Sequence, residues 1–259
     1  MSGEVLLSRD GDVATVTLSH PERLNALSLE MWERLGLHMK ALDEDATLRC
    51  IVLRGAGDKA FAAGADIAAF AHERANSRQA RKYGARIARS LRALARCRHP
   101  VVALIQGACV GGGLLVAAQA DIRLCGESSR FGVPVKNLGL VEAYDELAAM
   151  MRVVGRAATL EILLEGRIWG AREAYEKGLV NRVLPDDKVA DEAYGVARRI
   201  AEGAPLAARW HKKFVRRLAD PRRLSRKEYD ESFACFDTED FREGVAAFLA
   251  KRKPRFTGR

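Results

Sequence analysis

Nowhere in the 259 residues do two cysteines form a CxxC pair, although Cys50, Cys97, Cys109, Cys125 and Cys235 are present. Four of them lie in or beside apolar segments, the pattern of reduced, buried thiols in a cytoplasmic protein. The histidines, His20, His38, His72, His99 and His211, show no HExxH spacing, so no metal site is expected. The opening "MSGEVLLSRDGD" lacks the basic start and the long apolar run of a signal peptide. Charge is missing from Val101 to Ala120, a run long enough to span a bilayer. That run nevertheless holds Gln106, Gln119 and four glycines. A strand-to-helix change within it would leave backbone groups unpaired in lipid, so no membrane span is expected. "GAGDKA" (55–60) has the form of a dinucleotide fingerprint, but "FAAGAD" follows where a helix must start at once. A Rossmann site and its cofactor are therefore not expected.

What is present describes a globular chain. Apolar residues make up 48% and charged ones 30%, which excludes intrinsic disorder. The formal charge is +9, and the segment Arg209 to Lys227 alone carries ten Lys, Arg or His residues. The tail "KRKPRFTGR" adds five Lys or Arg. Such clusters are either solvated helical surface or a meeting place for a polyanion, whether nucleic acid or a small ligand with several phosphates.

Periodicity places the elements. "VLLSRDGDVATVTLS" reads as a hairpin turning at Asp10-Gly11. "HPERLNAL" is a loop, and Ser28 caps a helix with Trp32, Leu35, Met39 and Leu42 on one face. Buried strands are expected at 49–55, 100–107 and 121–126. A helix is expected over 81–98, with Tyr83, Ile87, Leu91 and Leu94 inward and arginines outward. "GGGLLVAAQA" starts another helix. From about 156 the pattern is mostly helical, with one strand near "LVNRVLP". Alternation of strands and helices predicts an α/β fold, and no short internal repeat is visible.

Two loops stand out, "KAFAAGADI" (59–67) and "GACVGGGLL" (107–115). Each follows a buried strand, is built of small residues and opens a helix. Unpaired N–H groups at such loops can converge on one oxygen, an oxyanion hole contributing about 3 kcal/mol per donor in a dry site. Close helix–strand packing through glycine accounts for the same residues.

The chain resembles the crotonase, or enoyl-CoA hydratase/isomerase, superfamily nearly end to end. The resemblance rests on "HPERLNALS", "IVLRGAGDKAFAAGADI", "HPVVALIQGACVGGGLLVAAQADIRLCGESSRFGVPVKNLGL", "GAREAYEKGLVNRVLP" and "REGVAAFLAKRKPRF" in that order. It implies a crotonase-like spiral of ββα units over 1–200 and a helical trimerisation region over 201–259, assembled as a homotrimer or a dimer of trimers. It implies an acyl-CoA ligand, with coenzyme A as part of the thioester and no further cofactor. Ala65 and Gly112 match the positions whose N–H groups hold the thioester oxygen as an enolate develops. CoA would lie along Leu24, Ala26, Ala63, Asp66 and Ile67, with Phe248 and Lys251 at positions that reach a CoA. Arg23 and Lys251 would meet its phosphates. Many hydratases carry Lys just after "GADI", where this chain has Ala68.

The two glutamates of the family's hydratases match Leu115 and Val135 here, and neither side chain can transfer a proton. The resemblance thus implies enolate stabilisation without two-glutamate hydration. "NLGLVEAYDELAAM" (137–150) offers Glu142 and Asp145 for one-base chemistry, as in family isomerases, decarboxylases and a dehalogenase; an exposed acidic helix start is the alternative. Double-bond isomerisation is the leading expectation, followed by decarboxylation or thioester hydrolysis. The non-enzymatic alternative is a paralogue that only binds acyl-CoA. RNA binding, shown at least once in the family, has no support from aromatic residues interleaved with the arginines of 81–98.

Overall fold

The computed structural model describes residues 3–67 and 70–259. The expected hairpin is formed by β1 (Glu4–Asp10) and β2 (Val13–Ser19), with Gly11 at φ +53° in the turn. β2 then pairs in parallel with β3 (Cys50–Gly55), which neighbours β5 (Val101–Ile105), β7 (Ile122–Gly126) and β10 (Arg182–Leu184) in one six-stranded sheet. A parallel sheet buries both faces, which explains strands that are apolar throughout. Ile51, Leu53, Val101, Ala103 and Ile105 enter the main core, with the inward face of helix α1 (Leu29–Glu44). Cys50, Val52, Val102 and Leu104 point the other way, onto Val189, Ala193, Val196 and Ala197 of α7 (Val189–Ala201).

A second, smaller sheet runs through β4 (Ala60–Ala62), β6 (Ala108–Val110), β8 (Arg130–Gly132) and β9 (Trp169–Gly170). After the hairpin, β3, β5 and β7 are each followed by a short strand in the other sheet and then by helix. β3 and β4 lead to α2 (Phe70–Glu73) and α3 (Ser77–Arg96), β5 and β6 to α4 (Gly112–Ala117), and β7 and β8 to α5 (Tyr144–Glu165). This is a spiral of ββα turns, an α/β fold whose structural repeat leaves no matching repeat in the sequence. The short second strands have three residues each, too few to show alternation in the sequence.

Other boundaries also differ from expectation. α3 begins at Ser77 and not at 81, because the Asn76 side chain accepts the Gln79 N–H at 3.0 Å and caps it. Its Arg78, Arg81, Lys82, Arg86, Arg89, Arg92 and Arg96 face solvent, opposite Tyr83, Ile87, Leu91 and Leu94. α4 covers only six residues. α5 starts at Tyr144, well before 156, and is broken at Gly155, whose φ of +72° is closed to a helix. Ser28 caps α1 as expected, its Oγ accepting from the Met31 N–H at 3.2 Å. Among the described residues, no helix is long and apolar enough to cross a membrane, and no group of three or more His, Cys, Asp or Glu could hold a metal.

The C-terminal helices α8 (Pro205–Leu218), α9 (Arg226–Glu231) and α10 (Glu239–Leu249) are tied to the spiral by polar contacts. Arg49 donates to Ala201 O at 3.0 Å and to Phe256 O at 2.5 Å. Lys212 Nζ lies 2.6 Å from Asp121 and donates to the carbonyl of His99 at 2.8 Å. The apolar side chains of these helices remain largely uncovered by this chain, with Phe248 83%, Leu249 76% and Val215 72% exposed.

His99 sits at this junction, fully buried. Burial, and then the Arg209 and Arg98 charges, lower its pKa from 6.5 to about 4. The folded state therefore favours the neutral ring, and its contribution is present above pH 6.5 and lost as pH falls through about 4. Urea unfolding at a series of pH values is expected to show stability declining across this window, with a shallower decline in His99→Leu.

Candidate active site

The loop after β2 is shaped by a buried asparagine. Asn25 accepts the His20 N–H at 2.9 Å and donates to Ala60 O at 2.7 Å and Ala56 O at 3.0 Å. Those bonds hold Leu24 and Asn25 at φ +50° and +57°, a conformation that costs non-glycine residues energy and persists only under such restraint. The segment beyond then lies along the first small-residue loop. Ala63 N–H donates to Leu24 O at 3.0 Å, Leu27 N–H to Gly64 O at 2.7 Å, and Asp66 N–H to Leu27 O at 3.1 Å.

This pairing decides where Ala65 points. In the parallel bridge between Leu27 and Ala65, Leu27 bonds to the residues on either side of Ala65. The N–H of Ala65 is turned away from its partner segment. The second loop meets it there. A methyl on Gly112 would stand 3.7 Å from the Ala65 nitrogen, and one on Gly64 would stand 3.9 Å from the Gly112 nitrogen. Gly112 is the first residue of α4, where an N–H has no partner within the helix. Among the described residues, neither the Ala65 nor the Gly112 N–H donates to another group. Two unspent donors side by side can share one oxygen.

Leu24, Ala26, Ala63, Asp66 and Ile67 are brought together by the same bonds. Leu24 is 43% and Ile67 56% exposed, whereas Ala26 is buried. The Arg23 guanidinium holds both oxygens of Asp66, at 2.7 and 2.9 Å. Ala68 lies outside the described residues. Phe248 and Lys251 stand at the end of α10 and just beyond it, both exposed, and no described hydrogen bond joins them to the two loops.

The side chains around this backbone are apolar where the sequence indicated. Leu115 is buried in the main core with Trp32, and Val135 packs against that core. Among the described residues, the Trp32 indole Nε1 has no hydrogen-bond partner, and its Cζ2 would lie 3.0 Å from a methyl on Gly112. The amphipathic period marked Trp32 as a core residue and gave no sign that it borders Gly112.

Glu142 and Asp145 separate clearly. Asp145 is on the surface, paired with Arg92 at 2.7 Å. Glu142 is half-buried, on a segment anchored by the Leu140 N–H donating to Val135 O at 3.1 Å. Burial, then a hydrogen bond and repulsion from Glu146, raise its pKa to about 8 against an opposing pull from Arg74. Glu146 itself accepts the Ala143 N–H at 2.5 Å and so caps α5. The acidic helix start anticipated in the sequence is real, but it is Glu146 and Asp145, with Glu142 half-buried just before it.

Residues 8–259 match the family described as "Enoyl-CoA hydratase/isomerase". The chain belongs to the enoyl-CoA hydratase/isomerase family. A probable enoyl-CoA hydratase of Rhizobium meliloti is 37% identical over the whole of both chains. The short-chain-enoyl-CoA hydratase of Clostridium acetobutylicum is 31% identical, covering 96% of this chain and 95% of its own. Among solved structures, an enoyl-CoA hydratase/carnithine racemase from Magnetospirillum magneticum is 51% identical, with a TM-score of 0.97 over 98% of this chain and 96% of that one. This member of the enoyl-CoA hydratase/isomerase family therefore has the α/β spiral of its structural neighbours.

Within that fold the glycines of the second loop differ in what they protect. A methyl at Gly113 would lie 2.2 Å from Ala62 O, a backbone atom that cannot move aside, whereas one at Gly112 meets a ring edge and the mouth between the two donors. Gly113→Ala is expected to lower stability by about 1–3 kcal/mol more than Gly112→Ala, as read from urea midpoints.

Proposed function

We propose that this chain binds an acyl-CoA thioester, holds its carbonyl oxygen between the Ala65 and Gly112 N–H groups, and moves one proton with Glu142. The observation that carries this reading is the pairing of two unspent backbone donors, together with hydrocarbon at Leu115 and Val135 and the half-buried Glu142 on the segment bonded to Val135. The donors favour negative charge on the thioester oxygen. Leu115 and Val135 can neither hold nor activate water.

Double-bond isomerisation fits these groups. Glu142 as carboxylate takes a proton from the carbon next to the thioester. The C–H electron pair flows into a dienolate whose oxygen rests on the two N–H groups. The resulting carboxylic acid returns the proton to the γ-carbon, and the double bond ends next to the thioester. One carboxyl group serves both steps, and its raised pKa suits it to both. The hydratase names of the relatives favour the competing reading, addition of water to the double bond. Decarboxylation and thioester hydrolysis draw on the same oxygen-binding pair, and a non-catalytic paralogue would retain only the binding.

The exposed Phe248 and Leu249 support assembly as a homotrimer or dimer of trimers through the C-terminal helices, with Phe248 and Lys251 serving the CoA of a neighbouring copy. Lys251 and the neighbouring basic tail suit the phosphates of CoA.

Three outcomes are expected. Calorimetry with acyl-CoAs shows binding that weakens with added salt, because phosphate contacts are screened. Crotonyl-CoA hydration stays below ordinary enzymatic rates of about 10 s⁻¹, and turnover at such a rate would establish the hydratase reading instead. Solvent deuterium exchange next to the thioester rises with pH through about 8, as Glu142 ionises, and is abolished in Glu142→Gln, whose affinity for acyl-CoA stays near that of the parent.

A further inference from the structure

Arg74 occupies an unusual position. It follows α2 directly, its N–H donating to Phe70 O at 2.9 Å. Its guanidinium carbon lies 3.8 Å from the ring centroid of Tyr83 and 4.2 Å from that of Phe70. Two aromatic faces thus fix the plane of the cation before any ligand arrives. The Nε is buried and, among the described residues, has no hydrogen-bond partner. Among the described residues, no carboxylate oxygen lies within 4.0 Å of the guanidinium, in contrast to the ion-paired half-buried Arg49 and Arg217. A buried cation usually has a partner, because desolvation without one is costly.

The surroundings show what faces this cation. Tyr83 is 4% exposed and belongs to the same contiguous core as Trp32 and Leu115. The Arg74 charge is felt at Glu142 and at Tyr83, whose hydroxyl its guanidinium also approaches; the Glu73 charge is felt at Tyr83, and the Glu146 charge at both Tyr83 and Glu142. Arg74 is therefore on the wall that Glu142 also borders. Among the described residues, neither Glu142 nor Glu146 comes within 4.0 Å of the Arg74 guanidinium; burial favours the uncharged form of Glu142, and Glu146 is engaged with the Ala143 N–H. The unfilled valence of the site is thus for an anion.

We propose that Arg74 recognises an acyl chain that ends in a carboxylate, so that the natural thioester is the CoA derivative of a dicarboxylic acid. This rests on the acyl-CoA reading given above and specifies its substrate class. The planar fork presented between Phe70 and Tyr83 accepts a carboxylate through its free Nε–H and a terminal N–H. A neutral alkyl chain leaves the same donors unsatisfied. A chain that ends in a quaternary ammonium group is repelled.

The test compares glutaryl-CoA with pentanoyl-CoA, which have the same number of acyl carbons, by calorimetry on the intact protein. The expected result is a preference for glutaryl-CoA of about tenfold or more, the scale of a hydrogen bond to a charged group. Arg74→Gln should bring the ratio of the two dissociation constants close to one, and Arg74→Lys should restore part of it, since a point charge lacks the fork. 4-Trimethylammoniobutyryl-CoA should bind the parent protein more weakly than either. Equal binding of glutaryl-CoA and pentanoyl-CoA by the parent protein would overturn the proposal without need of any variant. So would a ratio unchanged in Arg74→Gln. Pentanoyl-CoA bound with no glutaryl preference removes the substrate class alone, whereas failure to bind any of the three removes the acyl-CoA reading itself.

Discussion

The alignment of Leu24–Leu27 against Ala63–Asp66 is the constraint on which the rest of the site depends. It is a short stretch of parallel backbone pairing, and its register makes the Ala65 N–H face outward. Asn25 fixes that register from within, with three hydrogen bonds made by a side chain that is 1% exposed. The first wall of the site is thus set by an amide that touches no ligand. The second wall comes from the turn into α4, where glycine lets two backbones approach more closely than any Cβ would permit.

Around this backbone frame the charges are few and mutually dependent. Glu142 is kept neutral by burial and by Glu146; Arg74 pulls the other way and is itself held by aromatic rings. Leu115 and Val135 keep the interior dry on the side nearest the core. A dry interior strengthens both the hold on a developing oxyanion and the shift of the carboxyl, so the apolar substitutions and the raised Glu142 act in the same direction.

Much of this was legible in the sequence, and the reasons for what was not are physical. Long strands and the α1 face follow from periodicity, because a continuous core imposes a repeating pattern. The small-residue loops could be located, since close backbone approach demands glycine and alanine. Their juxtaposition could not, because nothing in a sequence reports that position 65 and position 112 share a neighbour. Arg74 was invisible for a related reason. Its stretch, 68–84, is weakly patterned, and its neighbours Phe70, Tyr83 and Glu142 come together only through the packing of α3 against α5. Glu142 and Asp145 are three residues apart and looked alike; a single helix start left one half-buried and turned the other to Arg92.

The oxygen-binding pair belongs to the main chain, and this has an evolutionary consequence. An N–H survives every substitution at its own position except proline, so at Ala65 almost any mutation leaves the donor in place. Side chains such as those at 115, 135, 142 and 74 enjoy no such protection; one nucleotide change can add or delete a proton carrier or a charge. A lineage built on this spiral can therefore wander widely among reactions while retaining the means to hold an enolate. Its catalytic history would be recorded in the lining, and the backbone would have little to tell.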